Sequence, residues 1–597
     1  MAQAQMKATE TWKAAFNQFT RSLELGADGI GLFAIDQRFG VDDVRTAAAE
    51  SITGGGDDKK LDIVFLDTSR GLLVVAQCFE SPVTKTSAPA NKASDLNTAV
   101  AWLLSADLDS VPEGIRGRVE EVRDAIESDL IRDFHLWYVH NAPESKNVAV
   151  EILNAEKTAA KLLAKRGGVQ VLGAEVGSET LERWYLGSKR TIKVTDTFKI
   201  RVSDAIEASS ARWSAVTTLV PGTWLRQLFL AHKEDLFSAN VRDYLGSRRS
   251  DANINNGIKE TSIAEPADFA VYNNGVTALV LDFEVGARSR GGRNLTITGI
   301  SVVNGAQTTG SIGSLEEDPS AELLVPVRFV KSSDEDLLDR IVRFNNLQNK
   351  VQAADFRSGD EIQNRLRGEF GQMSGVSYDG GRRGGSSDAI KRSRTSLASY
   401  TVGQVLTAFH GDPVAAYDKK ADIWVDDAMY SRIFSERTTA AHVLFVYSLY
   451  DALTTRVLTL RGKLRDPQHA MSDAETKELE FLSLKGAPYL LVEVIARSLE
   501  TILGKTIPNR FGLRFKGSPG LSAGADHWAI VIDAVLPLAE QLRGAFNRGR
   551  VTRDGKETAI LAFEGLFRAL QNLQPDAFTN FAKRVVVEPV ADHTSIE

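Results

Sequence analysis

The chain has 597 residues, 43% of them hydrophobic and 25% charged, with a formal net charge of −7. That composition is ordinary for a folded globular protein of several domains, and it excludes a chain held by an overall basic field, so any contact with nucleic acid has to be local. A single cysteine, Cys78, excludes a disulfide framework and a cysteine-based zinc finger.

Residues 11–25 carry Trp12, Ala15, Phe16, Phe19 and Leu23 at helical spacing. The segment before them has no apolar leader-like run, and no uninterrupted apolar stretch reaches the ~18 residues of a membrane span, so a cytoplasmic protein is expected. A glycine-rich loop, Gly54-Gly55-Gly56, then leads into Leu61-Asp62-Ile63-Val64-Phe65-Leu66-Asp67. A short turn and Gly71-Leu72-Leu73-Val74-Val75-Ala76-Gln77 follow, and the two apolar runs read as a β-hairpin. Helical patterns over 93–107 and 113–130, a buried strand at Phe134–His140, a helix over 147–166 and a strand at Val169–Leu172 complete an α/β domain assigned to residues 1–175.

Asp62 at the start of the first strand and Gln77 near the end of the second present two oxygens side by side. Such a pair suits Mg²⁺, a hard cation that keeps several waters and activates one of them. The plainer reading is a strand-edge carboxylate and a strand-end amide.

Residues 176–235 read as a mixed connector, with alternating strand patterns at Thr195–Val202 and Trp213–Val220. The next assigned domain, 236–425, contains the most distinctive text. Leu236-Phe237-Ser238-Ala239-Asn240-Val241-Arg242-Asp243-Tyr244-Leu245-Gly246 comes first, then Phe269-Ala270-Val271-Tyr272-Asn273-Asn274-Gly275-Val276-Thr277. Ile300-Ser301-Val302-Val303-Asn304-Gly305-Ala306-Gln307-Thr308-Thr309 is a β-branched run broken by an Asn-Gly turn signal. A strand at Leu324–Val330 precedes a helix ending Asn345-Asn346-Leu347-Gln348-Asn349-Lys350-Val351. Asn304, Gln307, Thr308, Asn345, Gln348 and Asn349 are therefore candidates for one ligand-binding cluster, with Arg242 a candidate anion site beside it and Asn274 a further ligand-binding candidate in the upstream Asn-Asn-Gly segment. Amides donate and accept without titrating, so they suit a phosphate or nucleobase edge rather than proton abstraction. They also commonly satisfy turn backbones.

In residues 374–396, Arg382, Arg383, Lys391, Arg392 and Arg394 are interspersed with Gly and Ser, a candidate backbone-phosphate clamp for nucleic acid. Residues 426–597 read as mainly helical, with patterns over 438–464, 474–503, 528–547 and 558–585. Their broad apolar faces are explained first by core packing and second by a homo-oligomer interface. The eight histidines show no metal-ligand spacing.

The five segments from Leu236 to Val351 occur in the order seen in the abortive-infection phage-resistance (AIPR) family, which this chain resembles over Leu236–Pro413. A strand ending in a polar-Gly turn is also similar to DGQHR and ParB-like domains, with Asn304 standing where those have an acid. The AIPR resemblance implies a defence protein that meets a phage-derived trigger and acts on or binds DNA or RNA, without a membrane. Family members carry an N-terminal segment related to the PD-(D/E)XK nuclease core, which Asp62 and Gln77 resemble. That resemblance implies an α/β nuclease-like domain in which both residues hold Mg²⁺ and a water attacks a phosphodiester. Phe79 stands where the pattern has its lysine; Lys59, Lys60, Lys85 and Lys92 are the neighbouring lysines, and Glu24 and Glu50 the candidate third carboxylates. The expected architecture is thus an α/β nuclease-like domain, an α/β core and a helical C-terminal domain. Two functions remain open: a controlled metal-dependent nuclease, or a catalytically silent nucleic-acid or nucleotide sensor that signals to a partner.

Overall fold

The computed structural model describes residues 12–23, 29–53, 58–83, 85–164, 168–189, 192, 194–232, 236–237, 249–289, 291–332, 334, 337–338, 341, 357, 360–378, 395–465, 470–571 and 575–588. It is a mixed α/β protein with a helical C-terminal region.

The first unit begins with helices α1 (Trp12–Leu23), α2 (Gly29–Phe39) and α3 (Val44–Ser51). Strands β1 (Ile63–Asp67) and β2 (Leu72–Phe79) form the expected antiparallel hairpin. Asp67 closes its turn by accepting from the Arg70 N–H at 3.1 Å, and Gly71 takes the left-handed backbone at φ 69° that glycine adopts without strain. Helices α4 (Ala90–Leu104) and α5 (Glu113–Glu127) carry the chain to β3 (Asp133–His140), which lies parallel to β2. Helix α6 (Lys146–Leu163) then leads to β4 (Gln170–Val176), parallel to β3, and α7 (Ser178–Lys189) follows. The sheet order is β1-β2-β3-β4. Both faces are covered: α4, α5 and α6 enclose one apolar cluster, while α1, α2, α3 and α7 enclose the other. Coverage on both sides explains why β2 and β3 are near-continuous apolar runs instead of alternating ones.

The segment expected as a connector is not one. Strands β5 (Val194–Val202), β6 (Ala205–Ser209) and β7 (Ser214–Pro221), with α8 (Gly222–His232), belong to the second sheet. That sheet is completed by β8 (Val276–Leu279), β9 (Asp282–Val285), β10 (Arg293–Asn304) and β11 (Leu324–Lys331), in the order β5-β10-β8-β11-β7-β6, with β9 also on β10. β6 pairs locally with β7, but the partners that draw β5 and β7 into the sheet, β10 and β11, lie some hundred residues downstream, beyond any local signal. Helices α9 (Arg249–Ala264), α10 (Phe269–Tyr272) and α11 (Ala306–Gly313) lie between these strands in sequence.

From Glu361 onward the described residues are mainly helical and share one hydrophobic core. The expected boundary at 426 therefore falls inside this core, which already contains α12 (Glu361–Gly371) and α13 (Ser399–Phe409). Its centre is α14 (Ala440–Arg465), flanked by α15 (Ala487–Leu503) and α16 (Leu521–Val535), with Trp528 donating its indole N–H to Phe445 O at 2.9 Å. Among the described residues two helices are apolar enough by composition to cross a membrane, but the best window of the first, Ala440–Leu464, is 83% buried within the protein, so core packing accounts for it.

Helix α3 joins this helical region to the first sheet. Its N-cap, Asp43, accepts from Thr46 N at 3.0 Å, and its Oδ2 accepts from Thr401 Oγ1 at 2.9 Å and Tyr447 OH at 3.0 Å. Arg45 lies 3.5 Å from Asp451, and Arg461 Nη1 and Lys485 Nζ donate to Ala48 O (3.0 Å) and Glu50 O (2.8 Å) at the other end. Cations at a helix C-terminus answer the orphan carbonyls and the negative end of the dipole. Asp43→Ala should therefore remove the cap and both interdomain bonds at once. A loss of about 2–4 kcal/mol is expected in urea unfolding, and a change under ~0.5 kcal/mol would contradict it.

Candidate active site

Asp62 sits just before β1, and the Ile63–Ala76 pairing sets it beside Gln77. Gln77 is in register with Tyr138 on β3, and Tyr138 with Glu175 on β4. Because side chains alternate along a strand, these four residues form one polar row across the sheet. The row lies on the face covered by α4 and α6, at the edge of an otherwise apolar cluster.

The approach to Asp62 is a tight turn. Lys59 and Lys60 both hold positive φ, 54° and 69°, conformations that side-chain-bearing residues rarely adopt in succession. Lys60 N donates to Asp58 Oδ1 at 2.9 Å, and Leu61 N to Asp58 O at 3.0 Å. The result turns the Lys60 carbonyl onto the Gln77 side-chain NH₂, which donates to it. That bond fixes the amide orientation and leaves Gln77 Oε1 buried with no hydrogen-bond partner. Asp62 Oδ2 accepts the Cys78 N–H at 2.8 Å. Burial pushes the Asp62 carboxyl up to about 6, against the opposing pull of the Cys78 N–H. Asp58 raises it further, while Lys92 and the Gln77 side chain lower it.

The four neighbouring lysines have different fates. Lys59 lies over the Trp102 ring at 4.9 Å, and Lys60 pairs with Asp95 on α4 at 3.3 Å. Lys85 sits 4.8 Å over the ring of Phe79, the residue standing in the lysine position. Lys92, in the first turn of α4 and three residues before Asp95, is the one whose charge acts on both Asp62 and Cys78. Of the two candidate carboxylates, Glu50 belongs to the interface with the helical region, its carboxyl raised by burial. Glu24 lies outside the described residues. Cys78 is half-buried and its thiol is pushed well up by burial, so it has no nucleophile character.

Further along the row, His140 Nε2 meets Glu175 Oε1 at 3.1 Å, and Glu175 also accepts from Ser145 N at 3.0 Å at the start of α6. Tyr138 is fully buried and its hydroxyl has no hydrogen-bond partner. The sequence reading missed Tyr138 because it is one aromatic in a wholly apolar strand. Only its register beside Gln77 distinguishes it.

The central turns are organised differently. Gly305 begins α11 at φ 84°, and a Cβ there would meet Gly275 O at 2.6 Å, so the two Asn-Gly turns pack backbone to backbone. Asn304 Oδ1 accepts from Gly305 N at 2.7 Å. Asn273 Oδ1 accepts from Gly275 N at 2.9 Å and from Thr308 Oγ1 at 3.1 Å. Asn304, Asn273 and Thr308 thus satisfy turn backbone and each other, whereas Asn274 is exposed and Gln307 half-buried. Arg328 Nη2 donates to Thr277 Oγ1 at 3.1 Å, and Thr277 is in register with Asn304. Arg242, Asn345, Gln348 and Asn349 lie outside the described residues, as do Arg382, Arg383, Lys391, Arg392 and Arg394 of the basic loop.

His410 and His442, far apart in sequence, bring their Nε2 atoms within 3.2 Å. His442 Nδ1 contacts Leu513 O at 3.1 Å, and burial lowers the pair to about 2 and about 4, so both stay neutral. Among the described residues no three His, Cys, Asp or Glu converge as metal ligands.

Residues 237–469 match the family model described as AIPR protein. The match carries the resemblance seen over Leu236–Pro413 on into α14, and covers less than half of the chain; the N-terminal sheet lies outside it. No curated protein and no solved structure matches the chain.

Two measurements test this geometry. Asp62→Asn keeps an acceptor for the Cys78 N–H and removes a buried charge. A folded carboxyl raised from 3.8 to about 6 binds its proton more tightly than the unfolded chain, so wild-type stability contributed by this group falls as pH rises from ~4 to ~6. The variant should therefore be more stable by about 2–3 kcal/mol above pH ~7, with the gain vanishing below pH ~4. At the central turns, Asn273→Ala should cost about 1–2 kcal/mol while Asn274→Ala changes stability by less than ~0.5 kcal/mol. Equal losses would contradict the assignment.

Proposed function

We propose that this chain is a cytoplasmic antiphage defence protein of the abortive-infection type, whose N-terminal domain is a metal-dependent nuclease acting on DNA or RNA. The defence role is supported by the AIPR match over residues 237–469. The nuclease role is supported by one observation above all: the β1–β2 pairing sets the Asp62 carboxylate beside Gln77, whose amide oxygen is buried without a hydrogen-bond partner.

The residues fit Mg²⁺ sparsely but coherently. Asp62 offers a carboxylate and Gln77 an orphaned amide oxygen, the donor set of an ion that keeps waters and shares a substrate phosphate. Bound there, Mg²⁺ would supply positive charge to the scissile phosphate. Asp62 and Gln77 would hold the ion, and the Lys60 carbonyl fixes which Gln77 atom is left free for it. Lys92 would offset the charge that builds on the phosphate as a water oxygen bonds to phosphorus and gives up a proton to solvent, while the bond to the departing nucleoside oxygen breaks and that oxygen takes a proton from solvent. The central core, with its paired Asn-Gly turns, and the basic loop 374–396 take the sensing and strand-holding roles. Phe79 and the complete burial of Gln77 favour the second reading, a silent scaffold whose binding function lies in the central core.

Cleavage of labelled single- and double-stranded DNA and RNA with Mg²⁺ or Mn²⁺, with and without phage lysate, separates the two. Asp62→Ala should abolish metal-dependent cutting, and Lys92→Ala should lower kcat about 10–100-fold, while Lys85→Ala leaves it unchanged. Mn²⁺ affinity should drop about tenfold per pH unit below pH ~6, since the ion competes with the Asp62 proton. Silence under every condition would favour the scaffold.

A further inference from the structure

The polar row leaves two of its atoms unanswered. Asp62 is engaged by the Cys78 N–H, and Glu175 by His140 and Ser145. Between them, Gln77 Oε1 and the Tyr138 hydroxyl are buried and have no hydrogen-bond partner. Both residues are fully buried, and they are in register on neighbouring strands. Buried polar atoms in folded proteins are nearly all satisfied, by protein or by ordered water. An amide oxygen only accepts, and a phenol can donate, so together they match a water molecule, which does both. The phenol also stays protonated: burial, then the negative charges of Glu175, Cys78, Asp62 and Asp95, make it a weaker acid than usual.

We propose that Tyr138 is a further functional residue of this site, donating from its hydroxyl to a water that in turn donates to Gln77 Oε1, and so holding that water next to Asp62. The inference rests on the nuclease reading and extends it by naming what orients the water. An amide oxygen has two lone pairs, so Gln77 serves the water and an ion together. With one lone pair and one proton occupied by Tyr138 and Gln77, the water keeps a proton for the Asp62 side and a lone pair for the phosphate.

Tyr138→Phe removes only the hydroxyl. If the ring merely packs, deleting an unsatisfied buried hydroxyl leaves stability equal or higher and leaves function alone. If it holds the water, Mn²⁺ affinity read by electron paramagnetic resonance should fall about 10–100-fold, as when a ligand's supporting partner is lost. The kcat for cleavage should fall by a similar factor with KM unchanged and the melting temperature preserved. Wild-type Mn²⁺ binding and cleavage in Tyr138→Phe would overturn the proposal while leaving the nuclease reading intact. Wild-type protein that neither binds Mn²⁺ nor cuts, with phage lysate present, would overturn both.

Discussion

An eight-residue helix cannot hold itself together in water, because its nucleation cost is spread over too few hydrogen bonds. Helix α3 exists because both of its ends are answered by the helical region, with Arg118 of α5 adding to the grip at the second. Asp43 at one end is gripped by Thr401 and Tyr447, and the carbonyls at the other by Arg461, Lys485 and Arg118. Burial pushes the Glu50 carboxyl up and the Lys485 ammonium down, so neither charge would be tolerated here alone. Around this clamp the acidic edge of α5 meets arginines of 543–550, with Glu120 3.4 Å from Arg548. Gly117 lies so close to Gly549 that a Cβ would come within 2.6 Å of its carbonyl. The N-terminal sheet is thus docked by charge and close backbone contact, with Leu458 and Ala49 as apolar links to the helical region.

The clamp reaches the site through very little chain. Just past α3, Ile52 bridges to Ile63, Thr53 N donates to Asp62 O at 3.1 Å, and Thr53 Oγ1 donates to Leu61 O. Asp62 is therefore positioned from one side by α3 and from the other by the left-handed turn at Lys59 and Lys60. Strain of this kind persists only where surrounding structure over-determines it. Here the surroundings include contacts made by residues some four hundred positions away in sequence.

How much of this was legible in the sequence depended on the range of the interaction that fixes each part. The hairpin, the Asp62–Gln77 pair and the Asn-Gly turns were readable because β-branched runs, glycines and alternation are local signals. The second sheet was only half readable. Its strands β5 and β7 alternate, but membership is decided by partners such as β10 and β11, and no window of sequence contains both. Lys92 was one of four equivalent lysines until α4 folded over β2, and Glu50 looked like any helix carboxylate until Lys485 and Arg118 closed on it. Tyr138 carried no signal, since a buried aromatic in a buried strand is what core packing alone would produce.

The two polar centres show why residue type is a weaker guide than the state of each polar atom. The central turns are rich in amides and hydroxyls, yet Asn273, Asn304 and Thr308 direct theirs to neighbouring backbone and to one another. Two glycines at positive φ let those turns stack. Their chemistry is already occupied by folding. The N-terminal row is poorer in polar groups, but Gln77 Oε1 and the Tyr138 hydroxyl remain unanswered and Asp62 holds a carboxyl raised by burial. The two unpartnered atoms carry an energetic cost with no hydrogen bond inside the chain to offset it, and the Cys78 N–H offsets the burial of Asp62 only in part. A fold selected only for stability would replace them with apolar neighbours, which the rest of that cluster already has. In the central turns, by contrast, the polar atoms of Asn273, Asn304 and Thr308 are already spent on the fold itself.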